Sequence, residues 1–270
     1  NLPDGQNRYI VHRFPLAFKI DGKKVLGRPE GMKGVKLEAR ALFVTCSNQH
    51  LKDFIQAVEQ AGYAVEDVIA SPLAASFVTT TRVQKAAGCV LTNIGSQTTS
   101  IIVFEENIPI SLQVFPVGST DITNDIALGL KIPLEEAEKI KRGDEQSPIA
   151  KRKLDEIIEA RLFDIFEFIE LHLKKLGRNG LLPAGIVITG GGSGISNIED
   201  LAKNYFKLPA KIALPSVVSR SKNQQIDSSW SVAYGLCLFG SETSAEESLS
   251  SKLKRTTKVN FLKWLKELLP

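Results

Sequence analysis

The residues best suited to chemistry lie in Ile186-Val187-Ile188-Thr189-Gly190-Gly191-Gly192-Ser193-Gly194-Ile195. A β-branched run ends in a glycine cluster, and Ile198-Glu199-Asp200-Leu201-Ala202 then reads as a helix. Glycines permit positive φ and let the backbone come close to a bound group. The helix behind them offers unpaired N–H groups and the positive end of a dipole. That chemistry suits a nucleotide, with Gly190, Gly191, Gly192 and Ser193 as candidate contacts. The same order also serves as a plain tight connection in an α/β sheet. The dinucleotide fingerprint fits poorly, because no acidic residue ends a second strand about 20 residues on.

A second candidate is Asn93-Ile94-Gly95-Ser96-Gln97-Thr98-Thr99, a polar turn between two strand-like runs. Backbone N–H and hydroxyl groups there, from Asn93, Gly95, Ser96, Gln97 and Thr98, can face phosphate oxygens; a polar β-turn is the plain alternative. A third is Glu138-Lys139-Ile140-Lys141-Arg142. Glu138 and Lys141 share a helix face, so the carboxylate can accept from ribose hydroxyls while the lysine stem covers a base; a solvated ion pair is the alternative. The fourth lies at 258–270. At 100° per residue Phe261, Leu262, Trp264, Leu265, Leu268 and Leu269 fill an arc of roughly 160°, with Lys263 and Lys266 opposite. Such a segment is too short to span a bilayer and suits its anionic interface, or a groove on a protein. The sequence holds no H-E-x-x-H, G-x-S-x-G, P-loop or CxxC motif, and His12, His50 and His172 are scattered.

The elements that must position these groups follow the same reading. Tyr9–Ile20, Lys23–Leu26 and Val35–Cys46 read as strands, the first two joined at Asp21-Gly22. A helix runs from Ser47 or Asn48 to Ala61, and Val65–Ile69 reads as another strand. Ser71-Pro72 opens a helix, and Cys89–Phe104 reads as strand, turn, strand. Ile108–Val117 is a third strand, and helices follow from Gly118 to Leu128, Leu134 to Arg142 and Ala150 to Leu176. Lys211–Leu214 is a strand. Trp230–Phe239 is an apolar helix interrupted at Gly235, and the Ser/Glu/Lys-rich 241–257 reads as a flexible linker.

The chain has 270 residues, 43% hydrophobic and 24% charged, ordinary for a globular protein. Net charge is +4, but Lys252 to the end alone carries six basic residues and one acid, so the basic character belongs to that end. The whole chain is therefore not read as a nucleic-acid binder. Cys46, Cys89 and Cys237 are widely spaced and odd in number, which suggests reduced, buried thiols in a cytosolic setting. The sequence begins Asn1-Leu2-Pro3, without Met, as expected of a fragment or a processed form.

Taken in order, these stretches resemble the actin-like ATPase superfamily and, within it, the FtsA family of bacterial division proteins. Asn93–Thr99 is similar to the family's second phosphate turn, Gly190–Ile195 to its adenosine turn, and Ala233-Tyr234-Gly235-Leu236 to its final helix. Glu138-x-x-Lys141 is similar to the adenosine-contacting pair of heat-shock chaperones in the same superfamily. Gly31-Met32-Lys33-Gly34-Val35-Lys36-Leu37-Glu38-Ala39 and Val44-Thr45-Cys46 look like the subdomain inserted in FtsA and in its pilus relative PilM.

The resemblance implies an α/β, actin-like (ribonuclease H-like) ATPase fold, incomplete at its N-terminus, where the family's Asp-x-Gly phosphate strand-turn is expected. The inserted α+β subdomain falls at 1–68 and a connecting segment of the first lobe at 69–87. The second lobe covers 88–240, the linker 241–257 and an amphipathic membrane-targeting helix 258–270. It further implies ATP and Mg²⁺ as ligands and self-association into filaments. Arg161 is then a contact for the C-terminal peptide of the tubulin-like FtsZ, and the tail a tether to the cytoplasmic face of the membrane at the division site. The sequence departs from the family at Asn93 and Ser96, where Asp and Gly usually stand; Asn brings no charge to Mg²⁺. The stretch between Arg142 and Lys151 is shorter than the family's strand-bearing subdomain. No catalytic residue and no metal ligand is assigned, and at most weak ATPase activity is expected. A PilM-like scaffold of type IV pilus assembly is the nearest alternative. A sugar-kinase-like phosphotransferase would need a catalytic aspartate that is not visible.

Overall fold

In the computed structural model the described residues are 7–144, 151–215 and 227–250. Strands β1 (Arg8–Ile20), β2 (Lys23–Val25) and β3 (Leu37–Ser47) form an antiparallel sheet of order β2-β1-β3. The β1–β2 connection turns at Asp21 and Gly22, both at positive φ, as a two-residue hairpin requires. The Asp21 carboxylate also accepts from the Val35 and Lys36 N–H groups and so gathers in the glycine-rich loop before β3. Helix α1 (Asn48–Gln60) follows.

The strand expected at Val65–Ile69 does not form. One of its amides is used locally and the one just after it by a distant side chain: Val68 N–H donates to its neighbour Asp67 at 2.7 Å, and Ala70 N–H to His12 Nε2 at 3.0 Å. Local side-chain bonds of this kind compete with sheet ladders. Helix α2 (Ser71–Thr79) carries Pro72 in its first turn. A short helix, α3 (Arg82–Ala87), was not foreseen; Thr81 and Gln84 form a reciprocal capping box at its start.

The main lobe is built on β4 (Cys89–Ile94), β5 (Thr99–Glu105), β6 (Ile108–Phe115), β7 (Ile186–Thr189) and β8 (Ala210–Ile212), in the order β6-β5-β4-β7-β8. Only β5 runs against the rest. Helices α4 (Ser119–Leu130), α5 (Leu134–Arg142) and α6 (Lys151–Leu176) lie between β6 and β7, and α7 (Ile198–Phe206) between β7 and β8. Helix α8 (Ser231–Ser250) comes last, after a 3₁₀ turn at Ser228–Trp230.

Because strand side chains alternate, the central strands feed two cores. Val90, Ile94, Ile101 and Val103 pack with Ile122 and Ile126 of α4, Leu162, Ile165 and Phe166 of α6, and Phe206 of α7. On the other face Cys89, Leu91, Ile102, Phe104 and Val187 pack with Leu73 and Ala75 of α2 and with Phe14 and Val44 of the small sheet.

Gly235 does not interrupt α8. It marks where α8 crosses α2, so closely that a methyl group there would overlap the Ala74 carbonyl. Nor does the chain leave the helix at residue 241: the first ten residues of the stretch expected to be a flexible linker continue α8 to Ser250. Serine, glutamate and alanine there are tolerable to good helix formers, so low apolar content did not mean loss of helix. Of the thiols, Cys89 is buried, Cys46 partly so and Cys237 exposed, against the expectation that they are buried. Among the described residues no helix is long and apolar enough to cross a membrane. The membrane-targeting segment with Phe261, Leu262, Lys263, Trp264, Leu265, Lys266, Leu268 and Leu269 lies outside the described residues.

Candidate nucleotide-binding site

Strands β4 and β7 are parallel neighbours, with Asn93 opposite Thr189. Both candidate turns therefore leave the same edge of the sheet, the carboxyl end of its parallel strands, where open α/β sheets bind ligands. Gly190 has φ +89°, and a methyl group there would overlap Asn93 Oδ1 and lie 2.5 Å from the Ile94 carbonyl oxygen. One at Gly192 would overlap Ile94 Cγ2. The two turns thus interlock, and glycine is a steric requirement at both positions. The Asn93 side-chain amide has no hydrogen-bond partner among the described residues.

The β4–β5 turn is closed by the Gly95 N–H donating to the Thr98 carbonyl at 2.9 Å. Its outer carbonyls are taken by α4: Ser119 N–H donates to Gly95 O at 2.9 Å and Thr120 N–H to Ser96 O at 2.8 Å. Gly118 makes this approach possible, since a methyl group on it would sit 2.8 Å from Gly95 O and nearer still to Ser96 O. Asp121 accepts from the Gly118 N–H at 2.8 Å and fixes the start of the helix. The first amides of α4 are therefore used on the turn. The N–H groups of Ser96, Gln97 and Thr98 have no acceptor among the described residues. Consecutive unpaired amides of this kind form an anion-binding concavity.

Behind the turn stands the Glu138–Lys141 pair, which is not the solvated pair that sequence spacing allows. Lys141 Nζ lies 2.6 Å from Glu138 Oε2, and it donates to Thr123 Oγ1 at 2.8 Å and to the Ser119 carbonyl at 3.1 Å. Its side chain is only 9% exposed. Thr123 donates to Glu138 Oε2 at 2.6 Å and Arg142 Nε to Glu138 Oε1 at 3.0 Å. Burial works to raise the Glu138 carboxyl, but hydrogen bonds from Lys141, Thr123 and Arg142 outweigh it and hold the group below the ordinary glutamate value. The lysine stem is buried against α4 and does not lie open to a base. Glu138 does border an open cleft of about 440 Å³, lined also by Thr120, Thr123, Asn124, Leu134, Glu135 and Arg142.

Ser193 is buried, and its hydroxyl points into the protein, donating to the Gly190 carbonyl at 2.7 Å. Arg161 on α6 makes a two-pronged contact with Asp125 of α4, at 2.7 and 3.0 Å, and a further one with Asp164 at 3.1 Å. The hydrogen bond that it donates to Asp125 is the main cause that raises its pKa. Arg161 thus ties two helices together and lies outside the cleft lining.

A family model described as cell division protein FtsA matches residues 90–235, more than half of the chain, and one described as SHS2 domain inserted in FtsA matches residues 1–45. The chain belongs to the FtsA family. Cell division protein FtsA of Borreliella burgdorferi is 30% identical over 94% of this chain and 68% of its own length. That of Pseudomonas aeruginosa is 29% identical over 86% and 61% respectively. This FtsA-family chain therefore spans roughly two thirds of such relatives. Among solved structures, a PilM–PilN type IV pilus biogenesis complex superposes with a TM-score of 0.68, at 17% identity over 88% of this chain and 68% of the other. MreB5 of Spiroplasma citri bound to ADP gives 0.61, at 16% identity over 76% and 68%. These two likenesses establish an actin-like fold.

Sequence reasoning missed Thr120, Thr123 and Asn124. Their signal was present: polar residues at i, i+3 and i+4 in the first turns of α4 share a face. Arg142 stood in the candidate stretch but was given no role, although it follows Glu138 by four. Ser228, which touches Ser193 from 35 residues away, had no local signal.

Proposed function

We propose that this FtsA-family chain binds an adenine nucleotide, ATP, and serves as a membrane adaptor of the bacterial division ring. The observation that carries the reading is the meeting of the two turns: unpaired amides at 96–98 and the unpaired Asn93 amide stand beside a glycine turn at the end of a parallel strand pair. The amides of Ser96, Gln97 and Thr98, with Gly95 shaping the turn, take phosphate oxygens. Gly190, Gly191 and Gly192 let the nucleoside approach the backbone, and Ser193 holds that turn from within. Glu138, and beside it Arg142, faces the sugar, and Lys141 keeps Glu138 ionised and in place. Bound ATP supplies phosphate charge that can carry Mg²⁺, which commonly keeps several waters and needs few protein ligands. The ADP complex of the fold neighbour MreB5 supports a nucleotide in this fold.

The segment 258–270, basic on one side and apolar with Trp264 on the other, lies in an anionic membrane surface. Arg161 and its surroundings receive the FtsZ C-terminal peptide, and copies of the chain associate into filaments at the division site. Because Arg161 is held by Asp125 and Asp164, an acidic peptide must share or displace those carboxylates. The test is sedimentation of the intact chain, and of one ending at Thr256, with anionic vesicles at low and higher salt. The intact chain is expected to pellet, less so in salt, and the shortened one to stay in solution. If both stay in solution, the adaptor reading fails and the pilus-type scaffold, which needs no lipid helix of its own, takes its place.

A further inference from the structure

The glycine turn is held from behind by two buried hydroxyls from distant parts of the chain. Ser193 Oγ is 2.7 Å from the Gly190 carbonyl oxygen, Ser228 Oγ is 3.0 Å from the same atom, and the two hydroxyl oxygens are 2.7 Å apart. Both residues are nearly inaccessible, at 1% and 5% exposure. Each hydroxyl owns one proton. With Ser193 donating to the carbonyl, Ser228 donates to Ser193. If Ser193 loses its hydroxyl, the Ser228 proton has the same carbonyl as its nearer remaining acceptor, at 3.0 Å, with Asp227 Oδ1 at 3.3 Å. If Ser228 loses its own, the Ser193 bond remains.

A trans peptide is planar, so the Gly190 carbonyl and the Gly191 N–H point in opposite directions. Fixing the carbonyl inward aims the Gly191 N–H outward, and Gly191 is exposed, where an added methyl would meet only the Ser229 side chain, at ordinary contact distance of 3.9 Å. Gly190 has no Cβ to restrict it at φ +89°; the hydroxyls supply the restriction that its own side chain cannot. We propose that Ser193 and Ser228 are redundant positioning residues that pin this one carbonyl and thereby hold the glycine turn in its nucleotide-binding form. This rests on the nucleotide reading above. Ser228 belongs to the 3₁₀ turn that leads into α8, where Ser231 donates to the Ser228 carbonyl at 2.7 Å and pairs with Thr189 Oγ1 at 2.6 Å. The glycine turn and the start of α8 are one hydrogen-bonded block.

The test is a double-mutant cycle on the full chain, with ATP affinity measured by calorimetric titration below the melting temperature of every variant. Ser193→Ala and Ser228→Ala are each expected to weaken ATP about threefold, because the other hydroxyl still holds the carbonyl. Together they are expected to weaken it thirtyfold or more, beyond the product of the singles. Ser231→Ala removes a buried hydroxyl from the same block without touching Gly190, so it should lower the melting temperature and leave affinity unchanged. If the double alanine variant does not fold, Ser193→Cys with Ser228→Ala keeps the volume and removes the strong donors. A double variant no worse than the product of the singles, or a Ser231→Ala loss equal to it, overturns the proposal. An unaltered chain that binds no ATP overturns the nucleotide reading as well; normal binding by the double variant overturns the positioning role alone.

Discussion

Gly235→Ala sets two effects of opposite sign against each other. In a helix interior alanine is favoured over glycine by about 1 kcal/mol, which on its own would stabilise α8. At the crossing with α2, however, the new methyl would lie 2.5 Å from the Ala74 carbonyl carbon and would overlap its oxygen. Ordinary carbon–carbon contact is about 3.5–4 Å, so the helices must part by roughly 1 Å. The α2 face that would lose contact is almost wholly buried, from Pro72 to Val78, with Ala74 and Ala75 at 0% exposure. Overpacking a dense site costs about 1–3 kcal/mol, and parting two helices along their seam belongs at or above the upper end. The net expectation is a loss of about 2–3 kcal/mol, a fall of roughly 4–12 °C in melting temperature for a chain of this size. Gly240→Ala in the same helix meets nothing within 4 Å, so only the propensity gain remains and the melting temperature should rise by a few degrees. Thermal melts followed by circular dichroism compare the pair. A Gly235→Ala chain as stable as Gly240→Ala would refute the close crossing.

Two buried bases with lowered pKa values both make the fold more stable as the pH rises, but in different windows. His12 is 4% exposed, accepts from Ala70 N–H through Nε2, and burial lowers its pKa to about 4 against the partial opposition of Asp67. The unfolded chain takes up this proton near pH 6.5, so stability is complete above that value and about 3 kcal/mol is lost as the pH falls to 4. His12→Gln keeps an acceptor that does not titrate, and denaturant melts across pH 4–7 should show a flatter acid limb; an unchanged limb would count against His12. Lys85 is buried with its ammonium 4.9 Å from the Phe104 ring centroid and 5.7 Å from that of Phe77, and burial lowers its pKa to about 8. Its charged form disfavours the folded state at neutral pH, so Lys85→Met should stabilise the chain at pH 7 by about 1–3 kcal/mol. That advantage should shrink as the pH rises through 8; a destabilised variant at pH 7 would show instead that the aromatic faces, with the hydrogen bond that Lys85 Nζ donates to Ser76 Oγ at 3.3 Å, compensate the charge.

The fold was largely legible because its strands are apolar runs bounded by strong turn signals. Asp21-Gly22 and Gly95-Ser96 announced their connections, and the apolar face of α6 announced its core. Misreadings arose where a distant contact decided the outcome. The residues before α2 have strand-like types, but His12, 58 residues away, takes one of their amides. Gly235 carries the composition of a helix break and the geometry of a close crossing, and only Ala74 distinguishes them. At the site, both turns could be read locally, as could the register that brings Glu138 and Lys141 together. What sequence spacing could not supply was direction. Lys141 points under α4, Ser193 points inward, and Arg161 is held by Asp125.

The small sheet shares a core with the lobe. Phe14 and Val44 come from β1 and β3, yet they pack in the same cluster as Leu91 and Ile102 of the central strands. Burying a large apolar side chain contributes about 1.5–3 kcal/mol, so neither half can release the other without exposing both. The sheet and the lobe therefore form one mechanical body. A load or displacement applied to the small sheet is transmitted through Phe14 to the back of β4, the strand whose far end opens into the β4–β5 turn, and a sheet transplanted from a relative must bring side chains that fit this seam at positions 14 and 44.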